Sequence, residues 1–230
     1  MRFEDLNWMD VETYLERDDR VMLVLGACEQ HGYLSLATDM KIPFAIADAV
    51  SELAGVPVAP AMPFGISPYF LAYPGTISLR VETLLHVVED MIHSLHHQGF
   101  RGFFFLNGHG GNAPARLELA HVCNQLPGLR VQWYDWWTSD HVGKTAAKHG
   151  FKIHHAGAGE GFRFTRTGEL PEGEKEPVEL VGIQSSEEER RILGDGVFGG
   201  PYQMNEHAMQ EIFDVAVAEA VHLLDTIKGV

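Results

Sequence analysis

Apolar positions in this chain recur in two rhythms. Four short runs, RVMLVLGA (20–27), VPVAPAM (56–62), GFFFLN (102–107) and LRVQWYDW (129–136), are nearly continuous and rich in Val, Leu and Phe. Runs of this kind predict strands covered on both faces, the habit of a parallel sheet. Between them the period lengthens to that of a helix. In VETLLHVVEDMIHSLHHQG, Val81, Leu84, Leu85, Val88, Ile92 and Leu95 fall on one stripe, and Gly99 stands where a helix stops. Segment 113–126 follows Asn112, a favoured N-cap, and ends before Pro-Gly, which predicts a second covering helix. Beyond about residue 165 the pattern turns to Gly, Pro and acidic residues. It predicts a surface excursion carrying one short exposed helix at SSEEERRIL, followed by a final apolar helix near 205–227. Alternating strands and helices predict a three-layer α/β/α protein with a mainly parallel central sheet, in a single domain over residues 1–230.

Bulk properties narrow the function classes. A chain of 230 residues is long enough for a sizeable core. No apolar run approaches the roughly 18 to 20 residues of a membrane span, so no membrane partner is expected. The opening MRFEDLNWMDVETYLERDD is acidic and lacks the apolar stretch of a secretory signal, which predicts a cytoplasmic protein. A net charge of −15 without clustered Lys and Arg argues against nucleic acid as a partner. The two cysteines, Cys28 and Cys123, form no CxxC pair and read as reduced, buried, small apolar residues.

Candidate chemistry gathers where predicted strands end, the place where open α/β sheets hold their ligands. The first strand runs into GACEQHGYLSLATDMK, which carries Glu29, His31 and Asp39. If the chain stays extended, Glu29 and His31 project to the same side. GFFFLN runs into GHGGN, with His109 in a glycine-rich loop. A third cluster, IHHAGAGEGF, holds His154, His155 and Glu160 among small residues. Two histidines and three carboxylates meeting at one sheet edge are enough for two divalent metals. Other signals read as ordinary. His86, His93 and His97 lie on the polar face of their helix without an HExxH pattern, SSEEERR is a solvated helix start, and GDGVFG (194–199), which follows no strand, reads as an irregular loop near the active site rather than a dinucleotide fingerprint. No GxSxG elbow or Walker A sequence is present.

The ordered set EQHG, TD, PGTISL (74–79), NGHGGN, HAG followed by Glu160, and GVFGGP (196–201) resembles the creatininase (creatinine amidohydrolase) family. The resemblance implies a metal-dependent amidohydrolase that cleaves a linear or cyclic amide C–N bond of a small molecule with metal-activated water. It implies two divalent ions, zinc or manganese with iron as an alternative. Glu29, Asp39 and His109 would hold one and His31, Asp39 and Glu160 the other, with Asp39 bridging. It also implies His155 as general acid and a homo-oligomer, a hexamer being common among relatives. The same scaffold carries formamide deformylases and peptidases that trim a modified precursor peptide, and a metal-binding relative without turnover is the alternative outside enzymes.

Several positions depart from the family pattern. The stretch between His31 and Asp39 is one residue shorter and lacks a second histidine, Gly111 stands where creatininase has a glutamate, Phe70 replaces a frequent histidine, and Ala158, Gly161 and Phe162 replace polar residues. A substrate other than creatinine, larger and more apolar, is expected. Tyr69, Phe70, Tyr73, Trp136 and Trp137 are candidates to line its pocket, with core or interface packing as the alternative.

Overall fold

The structure is a computed structural model and describes residues 1–229. Three parallel strands, β1 (Arg20–Leu25), β2 (Gly102–Asn107) and β3 (Arg130–Asp135), lie in that order in register, with Arg20 opposite Gly102 and Gly102 opposite Arg130. Every residue of β1 and β2 is buried.

Alternation across the pleat splits the core in two. Met22, Val24, Phe104, Leu106 and Tyr134 face one layer, built by α2 (Thr38–Ala54), α5 (Asp140–Lys148) and α7 (Glu206–Asp225). Val21, Leu23, Leu25, Phe103 and Phe105 face the other, where Leu84, Val88 and Ile92 of α3 (Val81–Gln98) pack beside Leu119 and Val122 of α4 (Ala113–Gln125). Tyr14 of α1 (Trp8–Leu15) extends this second layer. The predicted α/β/α sandwich is therefore the fold observed. No helix among the described residues is long and apolar enough to cross a membrane.

The run at 56–62 is the exception among the strands. It lies alongside β1 and pairs with it through Met22–Val58 and Leu25–Met62, but only as isolated bridges. Four backbone hydrogen bonds of 2.9 Å tie it to β1 and the adjoining Gly26. Donors Ala59 and Met62 are three residues apart against two between their acceptors Met22 and Val24, and Pro60 between them has no N–H, so the ladder is interrupted.

The excursion after residue 165 is tied down rather than loose. A two-residue ribbon pairs β4 (Glu174–Lys175) with β5 (Gly200–Pro201), and Asp195 accepts from Lys175 Nζ at 2.5 Å and Tyr202 Oη at 3.0 Å. Its helix α6 (Ser186–Leu193) buries Glu189 and Leu193, so it is not a wholly solvated helix. The cysteines also differ from expectation: Cys28 is half-buried and Cys123 exposed, because Cys123 falls on the outward face of α4 next to buried Val122.

Candidate metal centre

All five predicted ligands converge beyond the carboxyl ends of β1 and β2. Glu29 and His31 leave β1 through a short irregular stretch, and both are buried. Asp39 sits in the first turn of α2 and points back at them, so the shortened stretch before it still delivers the carboxylate. Pro43 lacks the N–H that would bond the Asp39 carbonyl, and Gly108 closes on that carbonyl so tightly that a Cβ at 108 would lie 1.8 Å from it.

The NGHGGN loop is held by its two asparagines. Asn107 Nδ2 donates to His109 O at 2.8 Å and to Asp135 Oδ1 at 2.7 Å. Asn112 does not cap α4 through its side chain: its Nδ2 donates to Gly26 O and to Asn107 Oδ1, both at 3.1 Å, stitching the loop to the end of β1. His109 Nε2 donates to Ile66 O at 2.8 Å, which turns Nδ1 toward the carboxylates.

Asp39 lies at the middle of the cluster. Its Oδ1 is 2.9 Å from His31 Nε2, and its Oδ2 is 3.0 Å from His109 Nδ1. Glu160 Oε2 lies 3.7 Å from His31 Nε2, and Glu29 Oε1 3.5 Å from His109 Nδ1. Three groups, Glu29–Asp39–His109, His31–Asp39–Glu160 and Glu29–His31–His155, thus have ligand atoms within one ion's reach, and the two that are fully buried share Asp39. These close pairs are poorly aligned as hydrogen bonds. Glu29 Oε2, His31 Nε2 and Asp39 Oδ2 are sealed from solvent without a hydrogen-bond partner. Buried polar atoms normally find partners, so lone pairs aimed at common points fit a divalent cation set of imidazoles and carboxylates.

The electrostatics match. Burial disfavours a charged His31 imidazole, yet Asp39 outweighs it and holds the group at about 10. His109 likewise resists burial with the help of Asp39 and sits at about 9. Burial would raise the Asp39 carboxyl, but the two imidazoles hold it well below its ordinary value. For Glu160 burial wins, and its carboxyl is pushed up.

His155 stands beside the cluster. Its Nε2 meets Glu29 Oε1 at 2.9 Å, and its ring stacks on Phe70 at 5.0 Å and meets Phe198 edge-on at 5.1 Å. The next residue, Ala156, is the only non-glycine at positive φ (59°) among the described residues, and its N–H donates to Glu160 Oε2 at 2.6 Å. Backbone strain of this kind costs of order 1–3 kcal/mol and is sustained where the surroundings over-determine it. Here it faces His155 and Glu160 to the same cluster. His154 is not part of any ligand group.

A cavity of about 600 Å³ opens onto Glu29, Asp39, His109, His155 and Glu160. Tyr69, Phe70 and Trp137 line it, as the sequence suggested, whereas Trp136 belongs to the core and Tyr73 lies behind Phe70. A Cβ at Gly111 would meet Ile66 O at 2.0 Å, so this wall is closed to any side chain. Sequence reasoning placed the loop at 194–199 near the site without singling out Phe198, which lines the cavity, and it missed the pinning roles of Asn107 and Asn112. The repeated Asn flanking GHGG was the available signal.

A family model described as creatinine amidohydrolase matches residues 4–224. The chain belongs to the creatininase family. A creatininase crystal structure superposes with a TM-score of 0.85 over 98% of this chain and 96% of that one at 21% identity. Creatininase structures described as a manganese form and a zinc–zinc form each give 0.83, at 21% and 22% identity. These likenesses establish the fold. Among curated relatives of this creatininase-family chain, the mycofactocin precursor peptide peptidase of Mycolicibacterium smegmatis is 36% identical over 120 residues, 49% of this chain and 48% of that protein. The 3-dehydro-scyllo-inosose hydrolase of Thermotoga maritima is 26% identical over 138 residues, 57% of this chain and 44% of that one. The chain thus matches about half the length of these relatives, both of which are hydrolases.

Proposed function

We propose that this protein is a dinuclear-metal-dependent amidohydrolase that cleaves an amide C–N bond, with Glu29, Asp39 and His109 holding one ion and His31, Asp39 and Glu160 the other. The observation that carries the reading is Asp39, whose two oxygens serve two separate imidazole–carboxylate groups at the mouth of one cavity. Zinc or manganese suits such a donor set. Ions bound there supply a nucleophilic water at neutral pH and polarise the substrate carbonyl.

The chain's own residues supply the rest. Water adds to the carbonyl carbon, the C–N bond breaks, and the departing nitrogen needs a proton. His155, whose Nε2 lies 2.9 Å from Glu29 Oε1 at the cavity wall, is the side chain placed to give it. Stacking between Phe70 and Phe198 fixes the ring's orientation at the cavity wall. Tyr69 and Trp137 shield the centre from bulk water and favour a substrate with an apolar portion. Creatinine itself is not the expected substrate, because the wall at Gly111 has no room for the glutamate that creatininase carries there.

The test is metal per chain by elemental mass spectrometry, followed by a mass-spectrometric screen of formylated, cyclic and peptide amides. Close to two equivalents with hydrolysis of one amide class supports the reading. One equivalent or none after metal is supplied, or two with no turnover on any class, overturns it.

A further inference from the structure

The Phe70 and Phe198 rings have a second side. Behind them lies a crevice of about 280 Å³, lined by Tyr69, Phe70 and Phe198, which also line the main cavity, and by Leu180, Gly182 and Glu189. The walls are apolar apart from one group. Glu189 is 2% exposed, and its Oε2 is sealed from solvent with no donor among the described residues. Burial pushes the carboxyl up, as expected for a carboxylate without a counter-ion.

The cations that follow it in sequence are directed elsewhere. Arg190 donates to Ala72 O at 2.7 Å with its guanidinium over the Tyr73 ring, and Arg191 pairs with Glu188 at 2.5 Å. A buried carboxylate left unpaired is costly, and a helix surface offers it an easy escape to water on the adjacent face. Glu189 instead stays under α6, against the aromatic partition between the two cavities.

We propose that Glu189 is the recognition carboxylate for a primary ammonium group of the substrate, remote from the bond that is cleaved. The scissile amide sits at the metal centre, an apolar portion passes the Phe70–Phe198 partition, and the ammonium occupies the crevice. A primary ammonium is compact and offers three donors, which suits a small crevice with one acceptor group. The faces of Tyr69, Phe70 and Phe198 add cation–π attraction, and a net charge of −15 draws cations to the protein. The proposal depends on the hydrolytic reading only in naming this ligand as part of the substrate.

The probe is phenethylammonium, with 2-phenylethanol as its uncharged counterpart, titrated calorimetrically into metal-loaded protein. Glu189→Gln is expected to weaken phenethylammonium binding at least about tenfold, the loss of one charge-assisted contact, and to leave 2-phenylethanol unchanged. Leu180→Trp, which fills the crevice from its other wall without touching the carboxylate, is expected to weaken the ammonium as well. Phenylalanine amide against its N-acetyl form separates the sources. Preference for the free form assigns the crevice to a peptide amino end, and phenethylammonium binding without that preference assigns it to a small amine. Equal ammonium affinity in the wild type and Glu189→Gln, or no effect of Leu180→Trp, overturns the proposal. Phenethylammonium contains no amide, so a centre without turnover would leave its binding intact, and metal content measured on the same samples keeps the two failures apart.

Discussion

The two ends of the sheet bury charge in opposite ways. At the amino end, Arg20 is 3% exposed and meets Asp18 at 2.7 Å and Asp225 at 3.1 Å, while Arg130 meets Asp19 at 2.6 Å. Each buried cation there has its carboxylate. At the carboxyl end, Glu29, Asp39 and Glu160 are buried to a similar degree, and among the described residues the only ionisable partners facing them are imidazoles. One end is neutralised by guanidinium groups that stay charged, and the other offsets its carboxylates only with imidazoles, whose ring nitrogens converge with carboxylate oxygens on common points. Buried charge by itself therefore does not mark a functional site. Buried carboxylates compensated only by groups that can give up their protons to a metal do.

The sharpest way to break this comparison is Asp39→Ala. It removes the group common to both ligand sets, so both metal equivalents should be lost together and hydrolysis of a cognate amide should fall by more than about a hundredfold, beyond what outer-sphere changes cause. Loss of one equivalent alone would mean that the two groups do not share a bridge.

His155→Ala separates holding charge from moving protons. Metal content should stay near that of the wild type while kcat falls about 10²- to 10⁴-fold, the usual range for a general acid. Full activity in this variant would remove His155 from the mechanism.

Arg20→Met is the counterpart at the amino end. It should lower stability by about 2–3 kcal/mol, less than the full figure for a broken buried pair because Asp225 is largely exposed. That corresponds to a fall of roughly 5–10 °C in Tm, read by calorimetry, with metal content unchanged.

The smallest effect is on pH dependence, where the two ends should move in opposite directions in chelator-treated protein. The raised His31 and His109 stabilise the fold fully below the ordinary imidazole value of 6.5, and that contribution is lost as pH rises through about 9 to 10. Asp18, half-buried but held below its ordinary 3.8 by Arg20, contributes above that value and loses its share in acid. Bound metal should reverse the alkaline trend, since cations compete with protons for the same imidazoles. Melting curves from pH 2 to 11 with and without metal would show both limbs, and an unchanged alkaline limb on loading would count against imidazole ligation.

Much of this was legible in the chain. Continuous apolar runs marked β1 and β2, which are buried along their whole length, whereas β3 is half-buried and keeps polar Gln132 among its apolar residues. The ligand residues were legible as types at strand ends, where parallel sheets expose their carboxyl edges. Other features were hidden for physical reasons. Pro60 left the apolar composition of 56–62 intact while interrupting its ladder, Asn112 had a local role to suggest and a distant one to perform, and Glu189 sat in an acidic run that resembles any solvated helix start.

The sequence alone determined the order of strands and helices, the sandwich and the inventory of metal-binding side chains, because periodicity and residue chemistry are local properties. Only the tertiary structure decided which oxygen of Asp39 faces which imidazole, that Gly111 closes one wall, and that one glutamate of three in SSEEERR is turned inward. Those outcomes depend on atoms brought together from segments far apart in the chain, and no local pattern encodes the distance between them.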